Sequence, residues 1–195
     1  MENRKGKIIV ISAASGSGKT TIVRNLLSKI PELNFSISAT TRNKRENEID
    51  GEHYRFISDE EFEEKIRKDE FIEWEQFYDY YYGTLKEDVE KKLNDGKSSV
   101  FEVDVKGAVS IKNSYNDAVL IFIMPPSIET LKKRLIQRNT ESKNDLRKRF
   151  ERMEMELSYK EKFDHIVVNE ELERAQDEVL EIVKKEISED KLEWK

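Results

Sequence analysis

The stretch I-I-V-I-S-A-A-S-G-S-G-K-T-T-I-V, residues 8–23, constrains this chain more than any other. An apolar run of the kind that fills a buried parallel strand leads into it. A helical stripe of Ile22, Val23, Leu26, Leu27 and Ile30 leads out and stops at Pro31. Strand, small-residue loop and helix, in that order, form the context of a phosphate-binding loop. Its backbone N–H groups turn inward, and the helix behind adds its positive end. The lining residues are Ala13, Ala14, Ser15, Gly16, Ser17, Gly18, Lys19 and Thr20. Lys19 is expected to reach the β- and γ-phosphates, and the Thr20 hydroxyl to hold Mg²⁺. The usual pattern has glycine where this chain has Ala13. That position is the strand exit, where a negative φ serves and a methyl is tolerated. Gly16 and Gly18 are the positions expected to need left-handed backbone.

Further buried-strand candidates are S-V-F-E-V-D (99–104), A-V-L-I-F-I-M (118–124) and H-I-V-V-N (165–169). Helical patterns alternate with them. Ser127 opens one running to about Arg138. Leu146, Phe150, Met153 and Leu157 stripe a second, and Leu172, Ala175, Val179, Ile182 and Ile187 a third. The fold class is therefore α/β, with a parallel sheet covered by helices on both faces.

Residues 36–88 read differently. F-S-I-S-A-T-T, E-H-Y-R-F-I-S, E-F-I-E-W-E-Q-F and Y-D-Y-Y-Y-G-T are short, aromatic-rich and partly alternating, as in mixed β structure. Ser58 with Glu61 reads as a capping box for a short helix, and Thr84 with Glu87 as a second, leading to Leu85, Val89 and Leu93 and ending near Gly96. The expected organisation is a core of residues 1–35, 89–137 and 149–195, an insert at 36–88, and a polar lid at 138–148. The segment after Ser188 reads as a fraying end.

Composition narrows the partners. No cysteine occurs, which excludes disulfides and thiolate metal sites. The formal net charge of −6 argues against nonspecific nucleic-acid binding. No apolar run is long enough to span a membrane, and M-E-N-R-K-G-K has no apolar signal region, so a cytoplasmic protein is expected. His53 and His165 are the two histidines, and both read as structural rather than catalytic.

A phosphate loop specifies a nucleotide but not a reaction. T-T-R-N-K-R places Arg42 and Arg45 just after a strand, where both can fork onto one phosphate, although such a pair is more often a solvated surface. In F-I-E-W-E-Q-F (71–77), strict alternation puts Ile72 and Trp74 on one face, against the small sheet. Glu73 and Glu75 then share the other face, toward a cleft, with Phe71 and Phe77. Asp104 ends an apolar strand at its carboxyl end, where α/β sheets place ligand groups; the bland alternative is a helix cap.

With these residues assembled, the chain resembles the guanylate kinase family from about Lys7 to Ile187. The resemblance rests on A-S-G-S-G-K-T, S-A-T-T-R-N-K-R, G-E-H-Y-R-F, F-I-E-W, Y-Y-G-T, F-E-V-D-V-K-G and I-V-V-N, in that order. It implies a P-loop kinase core, an insert that binds GMP, a lid, ATP as co-substrate with Mg²⁺, and transfer of the γ-phosphate of ATP to GMP or dGMP. It implies that Ser38, Arg42, Arg45 and Tyr54 hold the GMP phosphate, with Tyr82 and Gly83 beside them. Glu73, Thr84 and Asp104 would read guanine. Arg138 and Arg149 would contact the transferring phosphates, so that Lys19, Arg42, Arg138 and Arg149 form the catalytic group. Asn169 would approach the adenine of ATP. This chain departs from the family at Ala13 and Ala14, where Gly-Pro is frequent, at Thr84 for serine, at Glu102 for aspartate, and at Asn139 for glycine.

The chemistry is coherent. Guanine offers N1–H and N2–H₂ donors beside an O6 acceptor, and two carboxylates with a hydroxyl complement them. Adenine lacks the N2 donor and would leave a carboxylate unpaired, at about 1–3 kcal/mol per lost bond. A GMP phosphate oxygen is already ionised near neutral pH, so no histidine base is required. Two other readings differ in kind. A catalytically inactive phosphopeptide-binding module of the same family would lose the loop lysine, which is intact here. A P-loop kinase for another small acceptor would lack the guanine-reading trio.

Overall fold

The computed structural model describes residues 6–14, 16–77, 79–131 and 152–189. Its strands are β1 (Ile8–Ala13), β2 (Asn34–Phe35), β3 (Ala39–Thr40), β4 (Arg55–Phe56), β5 (Phe71–Phe77), β6 (Tyr80–Leu85), β7 (Ser99–Glu102), β8 (Val119–Met124) and β9 (His165–Val168). The helices are α1 (Lys19–Lys29), α2 (Asp59–Arg67), α3 (Lys86–Asn94), α4 (Val105–Ser114) and α5 (Leu172–Glu189), with further helical residues at 128–131 and 152–158.

A five-stranded parallel sheet runs in the order β2-β7-β1-β8-β9. β1 lies at its centre and is apolar on both faces. Ile9, Ile11 and Ala13 pack with Ile22, Val23 and Leu26 of α1 and Ala175, Val179 and Val183 of α5. Ile8 and Val10 pack with Val89 and Leu93 of α3 and Val105, Ala108 and Ile111 of α4. Burial on both faces is why the run reads as continuous rather than alternating. The edge strand β2 is too short to have been legible in the pattern.

The second sheet, β4-β3-β6-β5, is mixed: β3 and β4 run parallel, and the other pairs antiparallel. Its hydrophobic cluster is centred on Phe62 of α2, which stacks on Phe71 at 4.3 Å and on Tyr81 at 5.2 Å. Ser58 caps α2 as expected, its hydroxyl accepting from the Glu61 N–H at 3.1 Å. Ser127 likewise accepts from the Thr130 N–H.

Two expectations are corrected. The Thr84–Glu87 capping box does not form: α3 starts from Leu85 without a side-chain cap, because Thr84 sits in β6 and spends its hydroxyl on Glu73. Nor does β5 alternate strictly. Its register against β6 shifts between Phe71 and Glu73. Ile72 and Trp74 therefore part company. Ile72 packs into the α3–α4 side of the core, while Trp74 is 47% exposed and lies edge-on to Tyr81 at 6.1 Å. Phe71 is on the Phe62 side and does not share a face with Glu73. A bulge of this kind re-aims every later side chain.

The lid at 138–148, Arg138, Asn139 and Arg149, Leu146 and Phe150 of the second stripe, most of the helix begun at Ser127, and Ser15 lie outside the described residues. So does the tail from 190.

Candidate active site

A cleft of about 700 Å³ separates the end of α1 from the second sheet, lined among others by Lys19, Thr20, Tyr54, Glu73, Tyr82 and Asp104. Its first wall is the phosphate loop. Gly16 and Gly18 take φ of 91° and 93°, the left-handed backbone expected of them. Ala13 ends β1, paired with Ile123, and its methyl is buried in the core. The alanine therefore fits the strand exit and leaves the loop interior to the glycines. Lys19 Nζ donates to the Val103 carbonyl at 2.9 Å, and the Thr20 hydroxyl to Glu102 Oε1 at 2.5 Å. Glu102 thus reaches the Thr20 hydroxyl despite standing where aspartate was expected.

Asn169 lies against the back of the phosphate loop. Its side-chain amide, 4% exposed, donates to the Ser17 carbonyl at 2.7 Å. A Cβ at position 18 would lie 2.5 Å from that amide nitrogen. The turn after β9 therefore braces the loop from behind, and Gly18 is required by close approach as well as by φ.

A second wall holds Ser38, Tyr54 and Tyr82, the last two in edge contact at 6.1 Å. Behind them the Arg42 guanidinium forks onto Glu48 with bonds of 2.8 and 2.7 Å and packs 5.3 Å from the centre of the Tyr54 ring. The pair is charge-assisted and bidentate, the stronger class of hydrogen bond. It holds the Glu48 carboxyl down at about 2 and raises Arg42. Arg45 gives its backbone N–H to the same Glu48, at 2.8 Å, and its side chain is exposed. The two arginines are tied together by an acid that the sequence did not single out, six residues from Arg42 in a loop without periodicity.

The third wall is acidic. The Thr84 hydroxyl donates to Glu73 Oε1 at 2.7 Å, and both side chains are buried. Burial first, and then nearby Asp104, push Glu73 from 4.5 up to about 7, while Thr84 opposes them. Asp104 caps α4, accepting the Gly107 N–H on Oδ1 at 2.8 Å. Both readings of Asp104, helix cap and cleft residue, are thus realised. A side chain at Gly107 would meet Glu73 Oε2 at 2.8 Å, so the two acids approach only because glycine is there. Gly83 faces the other way, leaving room for Phe71 and Trp74. Glu75 and Arg152 complete the wall, Arg152 Nη2 lying 3.0 Å from Asp104 Oδ2 and 3.2 Å from Glu75 Oε2. Glu75 was legible only as the alternation partner of Glu73, and Arg152 had no signal at all.

His53 and His165 take structural roles: His53 Nδ1 accepts the Ile49 N–H in a turn, and His165 pairs with Glu186. One cleft thus joins a donor-rich loop for polyphosphate to an acceptor-rich pocket for a base with N–H donors.

Comparison with known proteins gives the family. The family described as guanylate kinase matches residues 5–186. A guanylate kinase of Caldanaerobacter subterraneus subsp. tengcongensis is 44% identical over 180 residues, covering 92% of this chain and 87% of the relative. One of Thermotoga maritima is 43% identical over 182 residues, covering 93% and 88%. Among solved structures, a guanylate kinase from Anaplasma phagocytophilum superposes with a TM-score of 0.76 at 29% identity, over 94% of this chain and 87% of that one.

Proposed function

We infer the division of labour in the cleft from one premise: the chain belongs to the guanylate kinase family and is a nucleoside monophosphate kinase, passing the γ-phosphate of ATP to GMP. The observation that carries the residue assignment is that Lys19 and Thr20 line the same cleft as Glu73 and Asp104, with buried Thr84 bonded to Glu73 behind it.

In this reading residues 36–88 form the GMP-binding insert on the core, with 138–148 as lid. ATP lies with its phosphates in the loop 13–20, where Lys19 exchanges the Val103 carbonyl for the β- and γ-phosphates. Asn169 acts through the loop, holding Ser17 and Gly18 in place. Mg²⁺ fits the hard oxygen donors here, the Thr20 hydroxyl and the Glu102 carboxylate that orients it. When bound, it supplies neutralising charge beside the phosphates.

GMP enters with its base against the acidic wall. Ionised Glu73 accepts from guanine N–H donors, Thr84 keeps that carboxylate aimed, and Asp104 takes the exocyclic amine. The GMP phosphate comes to Ser38, Tyr54, Tyr82, Arg42 and Arg45. Until it arrives, the bidentate pair with Glu48 fixes the Arg42 guanidinium in place. The attacking oxygen is already ionised, so the protein's work is alignment and charge stabilisation by Lys19 and the arginines, Arg138 and Arg149 among them. A cytoplasmic location suits these substrates, and among the described residues no helix is long and apolar enough to cross a membrane.

A coupled assay of GMP, dGMP, AMP, UMP and CMP with ATP tests the reading. GMP should be the preferred ribonucleotide, with kcat/KM for AMP lower by roughly 100-fold or more. No turnover of GMP, together with tight binding of a phosphopeptide, would overturn it.

A further inference from the structure

Glu73, Glu75 and Asp104 bring three carboxylates to one wall of the cleft, and the guanidinium of Arg152 reaches two of them from the helical residues 152–158. Arg152 is fixed from its other edge: Nε donates to Glu156 Oε1 at 2.9 Å, and Glu156 is 4% exposed. Lys106 of α4 stands 3.8 Å from Glu75 on the solvent side. Burial and the nearness of Asp104 both push the Glu75 carboxyl upward, and Arg152 opposes them. Two carboxylates this close, without a cation between them, repel each other.

We propose that Arg152 is a positioning residue of the base pocket: it keeps Asp104 aimed, and thereby sets discrimination for bases bearing a 2-amino group. The geometry gives it that reach. Asp104 Oδ1 is engaged by the Gly107 N–H and Oδ2 by Arg152, and each carboxylate oxygen retains a lone pair for the nucleotide. With Arg152 removed, Asp104 and Glu75 face each other directly. Their mutual repulsion then swings the Asp104 carboxylate off the aim that the guanine amine requires. Arg152 need not touch GMP to have this effect, and nothing in the transfer step calls on it. The proposal rests on Asp104 reading the base.

The test compares Arg152→Met and Arg152→Lys with the unsubstituted enzyme on GMP and on inosine monophosphate, whose base lacks the 2-amino group. Arg152→Met should raise KM for GMP roughly tenfold or more, leave kcat at saturating GMP within about threefold, and shrink the preference for GMP over inosine monophosphate. Arg152→Lys should restore part of both KM and preference. KM for ATP and the melting temperature are read alongside, to show that the variants are folded. Asp104→Asn separates the two layers. If it is damaging while folded Arg152→Met leaves GMP KM and preference unchanged, the positioning role fails alone. If both are silent, the assignment of Asp104 to the base fails with it.

Discussion

The phosphate loop and the base pocket share one cleft but are built in opposite ways. The loop is contiguous, one run from Ala13 to Thr20 between β1 and α1, and it presents N–H groups and one lysine. The pocket is assembled from Glu73 on β5, Thr84 on β6 and Asp104 at the cap of α4, and it presents oxygens. Local backbone geometry makes the loop. Sheet register and a glycine-sized gap at Gly107 make the pocket. Failure in the first should therefore appear in catalysis or in ATP binding, and failure in the second in recognition of GMP.

Lys19→Ala is the strongest way to break that contrast. It should lower kcat about 10³-fold or more, because neutralisation of the transferring phosphate is lost. KM for GMP should move by no more than about threefold. A comparable rise in GMP KM in steady-state assays would mean that the two walls are not separable.

Glu73→Gln probes the other wall. It should reduce kcat/KM for GMP by roughly 100-fold while leaving ATP binding, measured by titration with a non-hydrolysable analogue, unchanged. Because Glu73 titrates at about 7 and must be ionised to accept from guanine, KM for GMP in the unsubstituted enzyme should climb as pH falls below that value. Stability should run the other way. A carboxyl raised from 4.5 to about 7 costs the ligand-free fold nothing below the unfolded value, an increasing amount as pH rises from there to the folded value, and a constant amount above it. Glu73→Gln should therefore gain about 2–3 kcal/mol relative to the unsubstituted protein between pH 4 and pH 8 in denaturant titrations. Equal stability differences at both pH values would contradict that burden.

Asn169→Ala is the smallest perturbation and sharpens the comparison most. It removes the brace behind Ser17 without touching the second sheet. KM for ATP should rise about tenfold with GMP affinity unaltered. An unchanged ATP KM would show the loop to be self-supporting.

Much of this was legible in the chain, for reasons that differ by region. Gly16, Gly18, Lys19 and Thr20 announce themselves because the loop's geometry is imposed by neighbours in sequence. The main strands of the parallel sheet were equally plain, since β1, β7, β8 and β9 are apolar runs. Glu73 and Asp104 were visible as acids at suggestive positions, but only resemblance gave them a shared ligand. The Glu48 fork and the Arg152 bridge were hidden, because each joins side chains through space with no period to betray it. Thr84 was misread as a cap because a strand hydroxyl and a capping hydroxyl look alike until the partner is known.

The irregularity in β5 has a further consequence. Ile72 and Glu73 both turn toward the core side, one into packed hydrocarbon and the next into the nucleotide cleft. The depth to which an aliphatic side chain seats itself thereby bears on where the next residue's carboxylate stands in the cleft. Selectivity in such an arrangement is partly a matter of oil rather than of charge. A methyl group more or less at Ile72 would shift the neighbouring acid from a position that is itself buried.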